Sequence, residues 1–294
     1  FAPRIAILVN CSMDFFEEIA KLRAVRRLYA RMVREEFGAR DPRSWSVNIT
    51  SHTSGLALTA QQPVNNVVRG AVQALALALG GAQAIEVSAF DEAYRIPSRA
   101  AHRVGLRTQQ ILELEAGVAN VADPLGGSYY VEALTAELER RIRALVAEIE
   151  AAGDPVHLAD SGWFRSFFQR AAERHSRELQ AGTRNVVGGN IHRDPPEEDT
   201  LLADIAGRRT PPDAGRAERV RRLRHARPAE AVRRALRDTL AAARRRDVNV
   251  MPTVIAAFDA GATMGEIAGV FRVAYGFPYD PHRMIANPME EAAS

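Results

Sequence analysis

Four side chains in the first hundred residues have types suited to holding a small molecule: Arg4, His52, Glu86 and Ser88. An arginine fork matches phosphate or carbonyl oxygens, and an imidazole near a carboxylate can donate, accept or hold a proton close to neutral pH. A serine hydroxyl adds one more donor and acceptor. No nucleophile stands with its own base and orienting group, so the pattern does not signal triad-type hydrolysis or acyl transfer. Cys11 is the single cysteine, which excludes an internal disulfide or a cysteine-cluster metal site and points to a reducing compartment, the cytoplasm. Each candidate also has a plainer reading. Arg4 can be a strand-end arginine paired with a helix carboxylate, and a lone histidine is often structural. His157, His175, His192 and His225 fall on expected helices or linkers and carry no chemistry.

The elements that must position these residues repeat three times. Short β-rich runs at 4–9, 46–50 and 84–88 each precede a helical stretch, at 13–37, 63–79 and 97–117. This alternation predicts parallel strands joined by right-handed crossovers, an α/β sheet or barrel. Each run also has two faces. Ile5, Ile7 and Val9 oppose Arg4, Ala6, Leu8 and Asn10; Val47 and Ile49 oppose Ser46, Asn48 and Thr50; Ile85 and Val87 oppose Glu86 and Ser88. Parallel strands covered on both sides are normally apolar throughout, and a packed barrel interior is rich in branched aliphatics. A polar face in all three runs therefore predicts a barrel with a hollow, ligand-holding axis, the alternative being an open sheet with a solvated face. His52, just past the second run, then falls at the strand end where barrel chemistry gathers.

After residue 117 the strand pattern stops. A turn at 123–130 opens a helix to about Ala151, a second helix covers 160–181, residues 194–216 read as an exposed linker, and helices follow at 217–225, 228–245 and 264–275. The expected organisation is a barrel portion at 1–120, a helical extension at 121–193, the linker at 194–216 and a helical region at 217–294. The turn's glycines could expose N–H groups to a phosphate, but it lacks the lysine and spacing of a P-loop, so a structural turn capped by Ser128 is the preferred reading. Asn65 and Asn66 are weak helix formers, expected to bond backbone at the sheet rim.

Composition narrows the partners. The 294 residues are 47% hydrophobic with net charge +3, and the basic residues are arginines apart from Lys21. Arginine and acid alternate along expected helices, which marks solvated faces rather than a nucleic-acid footprint. No apolar run reaches about 18 residues, so no membrane span is expected. The chain starts at Phe1 rather than Met and shows no signal peptide, so its first residue is read as an artificial or missing boundary.

Several blocks together resemble one family. Phe1-Ala2-Pro3-Arg4, MDFFEEIAKLRA at 13–24, Thr53-Ser54-Gly55, QQPVNNVVR at 61–69, Phe90-Asp91-Glu92-Ala93 and DPLGGSYY at 123–130 are similar, in order and spacing, to the large chain of methylmalonyl-CoA mutase and its ethylmalonyl-CoA and isobutyryl-CoA relatives. The resemblance runs to about residue 190 and more loosely beyond. It implies the last three strands of a TIM (β/α)8 barrel followed by an all-helical accessory region. The CoA arm would pass along the axis, with adenosylcobalamin across the mouth. The strands that close the barrel would precede Phe1, a separate cobalamin-binding domain or subunit would complete the site, and the assembly would be dimeric. Arg4 matches the family arginine near the CoA arm, and Glu92 matches the glutamate that binds the adenosine ribose. Three positions depart: His52 replaces a glutamine at the acyl group, Glu86 a histidine, and Ser88 an asparagine facing the adenosyl group. Asp280-Pro281-His282 begins like a cobalamin-ligand signature, but Ile285 stands where glycine is needed, so it is read as chance.

The implied function is an acyl-CoA carbon-skeleton isomerase. A deoxyadenosyl radical takes a hydrogen from the substrate, the thioester group migrates, and the hydrogen returns. The cofactor would carry that chemistry while the protein binds CoA and excludes water. The expected site is Arg4, His52 and Glu86 toward substrate, with Glu92 and Ser88 toward cofactor. Two alternatives stay open: a non-catalytic mutase-like subunit paired with an active chain, and a mutase for a different acyl group.

Overall fold

The computed structural model describes residues 2–195, 197–199, 201, 204, 213–282 and 286–290, and the chain separates into two compact units, 1–210 and 211–294. Phe1, Ile285 and most of the expected linker at 194–216 lie outside the described residues.

In the first unit, β1 (Ala6–Cys11), β2 (Asn48–Thr53) and β3 (Ala84–Glu86) form a parallel sheet in the order β1-β2-β3. Between and after them run α1 (Phe15–Arg31), α2 (Asn65–Leu79) and α3 (Arg99–Leu114). Period-two alternation decides which strand face each side chain takes. Ile7, Val9, Cys11, Ile49 and Ile85 face the helices and pack with Ile19, Leu22, Ala76 and Leu77. The opposite face, with Ala6, Leu8 and Asn10 on β1, is exposed, and Leu8 is 63% accessible. Helices thus cover one side of the sheet. Glycine allows part of this approach, since a Cβ on Gly105 would stand 2.9 Å from the carbonyl oxygen of Val87.

Strand ends differ from expectation. Arg4 is not on β1 but closes a short 3-10 turn, Ala2–Arg4, in which the Ile5 N–H donates to Ala2 O at 3.1 Å. Pro3, with no N–H and a fixed φ, suits that turn better than a ladder. β2 extends to Thr53 because the pairing continues to Cys11 opposite Thr53, so His52 lies within the strand rather than after it. β3 ends at Glu86, leaving Ser88 beyond the ladder. The first helix closes at Arg31 and widens into a final turn, with Phe37 N–H donating to Met32 O at 3.0 Å.

α4 (Tyr129–Ala152) packs along α1. Its buried Glu139 accepts from Arg27 and Arg31, while Arg23 bridges Asp123 and Glu132. The 123–130 turn spends its own donors locally: Gly126 N–H on Asp123 O, Ser128 N–H on Leu125 O, and Gly127 N–H on the Glu132 carboxylate at 3.0 Å. It is built as a structural turn. A short α5 (Pro155–Asp160), which the sequence pattern did not signal, precedes α6 (Trp163–Gln180).

The second unit holds α7 (Ala214–Ala226), α8 (Ala229–Ala243), α9 (Met251–Asp259) and α10 (Met264–Ala274). Val232, Leu236, Val254, Ala257, Ile267 and Val270 form its core. α9 is unforeseen by the sequence reading, because Pro252 looks like a break; at the first turn of a helix its missing N–H costs nothing. Glu266 caps α10 reciprocally with Thr263 and takes a two-point contact from Arg227 at 2.6 Å each. Asp280 accepts from the His282 N–H at 3.1 Å in a local turn. No helix among the described residues is long and apolar enough to cross a membrane.

Candidate functional site

Strand register builds rows of side chains across the exposed face of the sheet. Ala6 pairs with Asn48; Leu8, Thr50 and Ala84 make the next row; Asn10, His52 and Glu86 make the row nearest the C-terminal ends. Above that last row opens a cleft of roughly 410 Å³, lined by Asn10, His52, Thr53, Ser54, Gly55, Leu56, Ser88 and Glu92. The C-terminal end of parallel strands is where crossover loops converge and where α/β folds bind ligands.

Three of the five expected site residues, His52, Ser88 and Glu92, line this cleft, and a fourth, Glu86, contacts His52 at its edge. His52 Nε2 lies 3.4 Å from Glu86 Oε2, a cross-strand pair of neighbours in register, with side chains 40% and 62% accessible. Ser88 is partly spent: its hydroxyl donates to Thr53 O at 2.7 Å and its N–H to Thr53 Oγ1 at 2.8 Å, which carries the β2–β3 contact past the end of the ladder. That hydroxyl keeps only its acceptor side for a ligand. Glu92 stands exposed at the cleft wall, and a Cβ on Gly55 would come within 3.5 Å of its Oε1. Arg4 is the exception. It sits exposed in the turn before β1, six residues before Asn10 and so at most about 20 Å away at ~3.3 Å per extended residue. Only a long ligand could touch both.

The loop that forms the cleft wall is held from below. Asn66, 1% accessible, donates from Nδ2 to Thr59 O at 2.8 Å and Phe90 O at 2.9 Å, and accepts at Oδ1 from Thr59 N–H at 3.0 Å. The expectation that an asparagine here bonds backbone at the rim is met by Asn66; Asn65 instead donates to the Gln62 side chain at 2.9 Å. Arg69 completes the bracket, donating to Thr59 Oγ1, Asn66 Oδ1 and the carbonyl of Val187. These acceptors are uncharged, and burial pulls its guanidinium pKa below the ordinary value. Sequence reasoning missed Arg69 and Asn10. Asn10 is detectable, since it lies on the polar face two residues beyond Leu8; one of the acceptors of Arg69 is a backbone carbonyl 118 residues away.

Beneath the cleft, on the helix side of β1, the solitary Lys21 pairs with Glu18 and donates to Asn10 O at 2.7 Å. Burial first, then the Glu18 carboxylate, pushes the Cys11 thiol up to about 12, so it is no nucleophile at neutral pH. Among the described residues no cluster of His, Cys, Asp and Glu is arranged to hold a metal ion.

A sequence profile described as methylmalonyl-CoA mutase matches residues 1–277. The 2-hydroxyisobutanoyl-CoA mutase large subunit of Aquincola tertiaricarbonis is 40% identical over 276 residues, covering 94% of this chain and 49% of its own length. The methylmalonyl-CoA mutase large subunit of Streptomyces virginiae is 37% identical over 283 residues, and the methylmalonyl-CoA mutase of Escherichia coli (strain K12) 34% over 278; each match covers 94% of this chain and 38% of the relative. The chain spans half or less of the length of these relatives.

Proposed function

The chain belongs to the methylmalonyl-CoA mutase family, and from that premise we propose that it supplies the acyl-CoA-binding portion of a carbon-skeleton isomerase. The observation that carries this reading is the exposed row-by-row face running from the Arg4 end of the sheet to the C-terminal cleft. The three strands are then a segment of an eight-stranded barrel, and the face becomes its inner wall. CoA lies along it: Arg4 takes a phosphate, the small or apolar rows of Ala6, Leu8 and Ala84 accept the arm, and the acyl group reaches Asn10, His52 and Glu86. The remaining strands and a cobalamin-binding part come from the rest of the mutase, in a dimeric assembly.

The residues at the cleft mouth fit the sugar of an adenosyl cofactor. Glu92 is an exposed carboxylate beside a glycine, able to accept from ribose hydroxyls, and Ser88 has an acceptor to spare. Bound there, adenosylcobalamin would supply the radical chemistry of the rearrangement. This chain's residues bind and orient the substrate, and the closed barrel keeps water from it.

Titration of the complete assembly with an acyl-CoA tests the reading. Arg4→Ala is expected to weaken binding by about 1.5–3 kcal/mol, the loss of a charge-assisted hydrogen bond; unchanged affinity removes Arg4 from the site. A second reading, a non-catalytic subunit, draws on Ser88, whose hydroxyl is tied to the Thr53 carbonyl. CoA-ester binding without any turnover in the complete assembly would select it.

A further inference from the structure

The row nearest the cleft carries more negative charge than an acyl-binding site for a dicarboxylate would want. We propose that the His52–Glu86 pair makes this a site for uncharged acyl groups, alkyl or hydroxyalkyl, and turns away CoA esters whose acyl group bears a free carboxylate. The proposal rests on the reading of the cleft as the acyl-CoA pocket and adds the substrate class.

Three observations support it. Register holds Asn10, His52 and Glu86 side by side, so a group that touches His52 is a near neighbour of the Glu86 carboxylate. Among the described residues Glu86 has no guanidinium or ammonium partner, and its contact is His52 at 3.4 Å. A second carboxylate, Glu92, lines the cleft with His52, while Glu86 reaches it only through its contact with His52, and the other lining residues are uncharged.

The charges then decide which ligand fits. Among the residues lining the cleft His52 is the only basic side chain, and its Nε2 already faces the Glu86 carboxylate. An acyl hydroxyl can donate to an acceptor, and an alkyl group is indifferent to it. An acyl carboxylate instead meets the Glu92 carboxylate in the cleft and the Glu86 carboxylate beside His52, two like charges against a single histidine. Closing the barrel lowers the local dielectric and strengthens that repulsion.

Isobutyryl-CoA and methylmalonyl-CoA differ by a methyl group in place of a carboxylate, so they isolate the charge. Calorimetric titration of the complete assembly, without cofactor, is expected to give isobutyryl-CoA roughly tenfold or greater preference, set by like-charge repulsion. Glu86→Gln, which keeps shape but removes charge, is expected to bring the two within about threefold. In the unaltered protein the preference should also shrink as salt rises from about 0.05 to 0.5 M, since screening weakens it. This arm does not depend on the variant folding. Equal affinity for the two esters, tighter methylmalonyl-CoA binding, or a preference untouched by both salt and Glu86→Gln overturns the proposal. CoA itself is the control: if neither it nor any ester binds, the acyl-CoA pocket reading fails. If CoA binds and the esters are not distinguished, only the charge filter fails.

Discussion

Two acid–base pairs, one in each unit, are built to opposite specifications. Arg227 and Glu266 make two contacts of 2.6 Å with side chains only 11% and 4% accessible, and the same carboxylate closes the cap of α10 through the Thr263 N–H and hydroxyl. His52 and Glu86 meet once, at 3.4 Å, with much of both side chains open. In the first pair both oxygens of the acid accept from structural partners and the cation cannot lose its proton. In the second, the acid has one loose contact and the base can become neutral. The first pair belongs to the fold, and the second is left available to a ligand.

The largest expected effect comes from breaking the buried pair. Glu266→Ala should destabilise the second unit by about 3–5 kcal/mol, because it leaves Arg227 charged and buried without its partner. Hydrogen exchange of α8 and α10 in the full chain would localise the loss. The same carboxyl gives a pH signature. Burial by itself would raise its pKa, but the hydrogen bonds from Arg227 and Thr263 outweigh it and hold the group down to about 2, against an ordinary 4.5. A depressed acid stabilises fully above its unfolded pKa, so the contribution, on the order of 3 kcal/mol, is present above pH 4.5 and lost as pH falls toward 2. A variant without the carboxyl should lose that dependence.

Next in size is the bracket under the cleft. Asn66→Ala removes the buried amide that joins Thr59, Phe90 and Arg69, and should cost about 2–4 kcal/mol through groups left without partners. Its cost is also functional. The loop it anchors carries Ser54, Gly55 and Leu56, so CoA-ester affinity should fall in the same variant even where the folded fraction is restored by osmolyte. A destabilised Asn66 variant that binds CoA esters normally would make the bracket purely structural.

How far these regions could be read from sequence follows from where their partners lie. Alternation of Ile5, Ile7 and Val9 against Ala6, Leu8 and Asn10 was sufficient to assign the two faces of β1, because a strand's period is local. The end of β2 was hidden: Ser51 and Thr53 are polar yet face the helix side, where Ser51 donates to Val9 O and Thr53 receives Ser88. Polar residues satisfied in this way look like the start of a loop. Pro252 hides α9 by looking like a break, and alternation alone puts Arg4 on the strand, where Pro3 instead turns the chain. The His52–Glu86 contact was foreseeable as a cross-strand pairing of complementary types. The Arg227–Glu266 lock, between residues 39 apart on no shared periodic face, was not.

The smallest expected effect is the one on which the comparison turns. Glu86→Gln should change folding stability by no more than about 1 kcal/mol, the ordinary range of an exposed ion pair. Its side chain is 62% accessible, and among the described residues its contact is His52, with no cap or backbone bond for the amide to replace. His52 is not stranded by the change, since an imidazole without a counter-charge can give up its proton, an option Arg227 lacks. A urea melt of the two proteins at pH 7 measures the difference. A loss of about 2 kcal/mol or more would place the pair with Arg227 and Glu266 among the supports of the fold. It would then remove the argument that its charge is free to select a substrate.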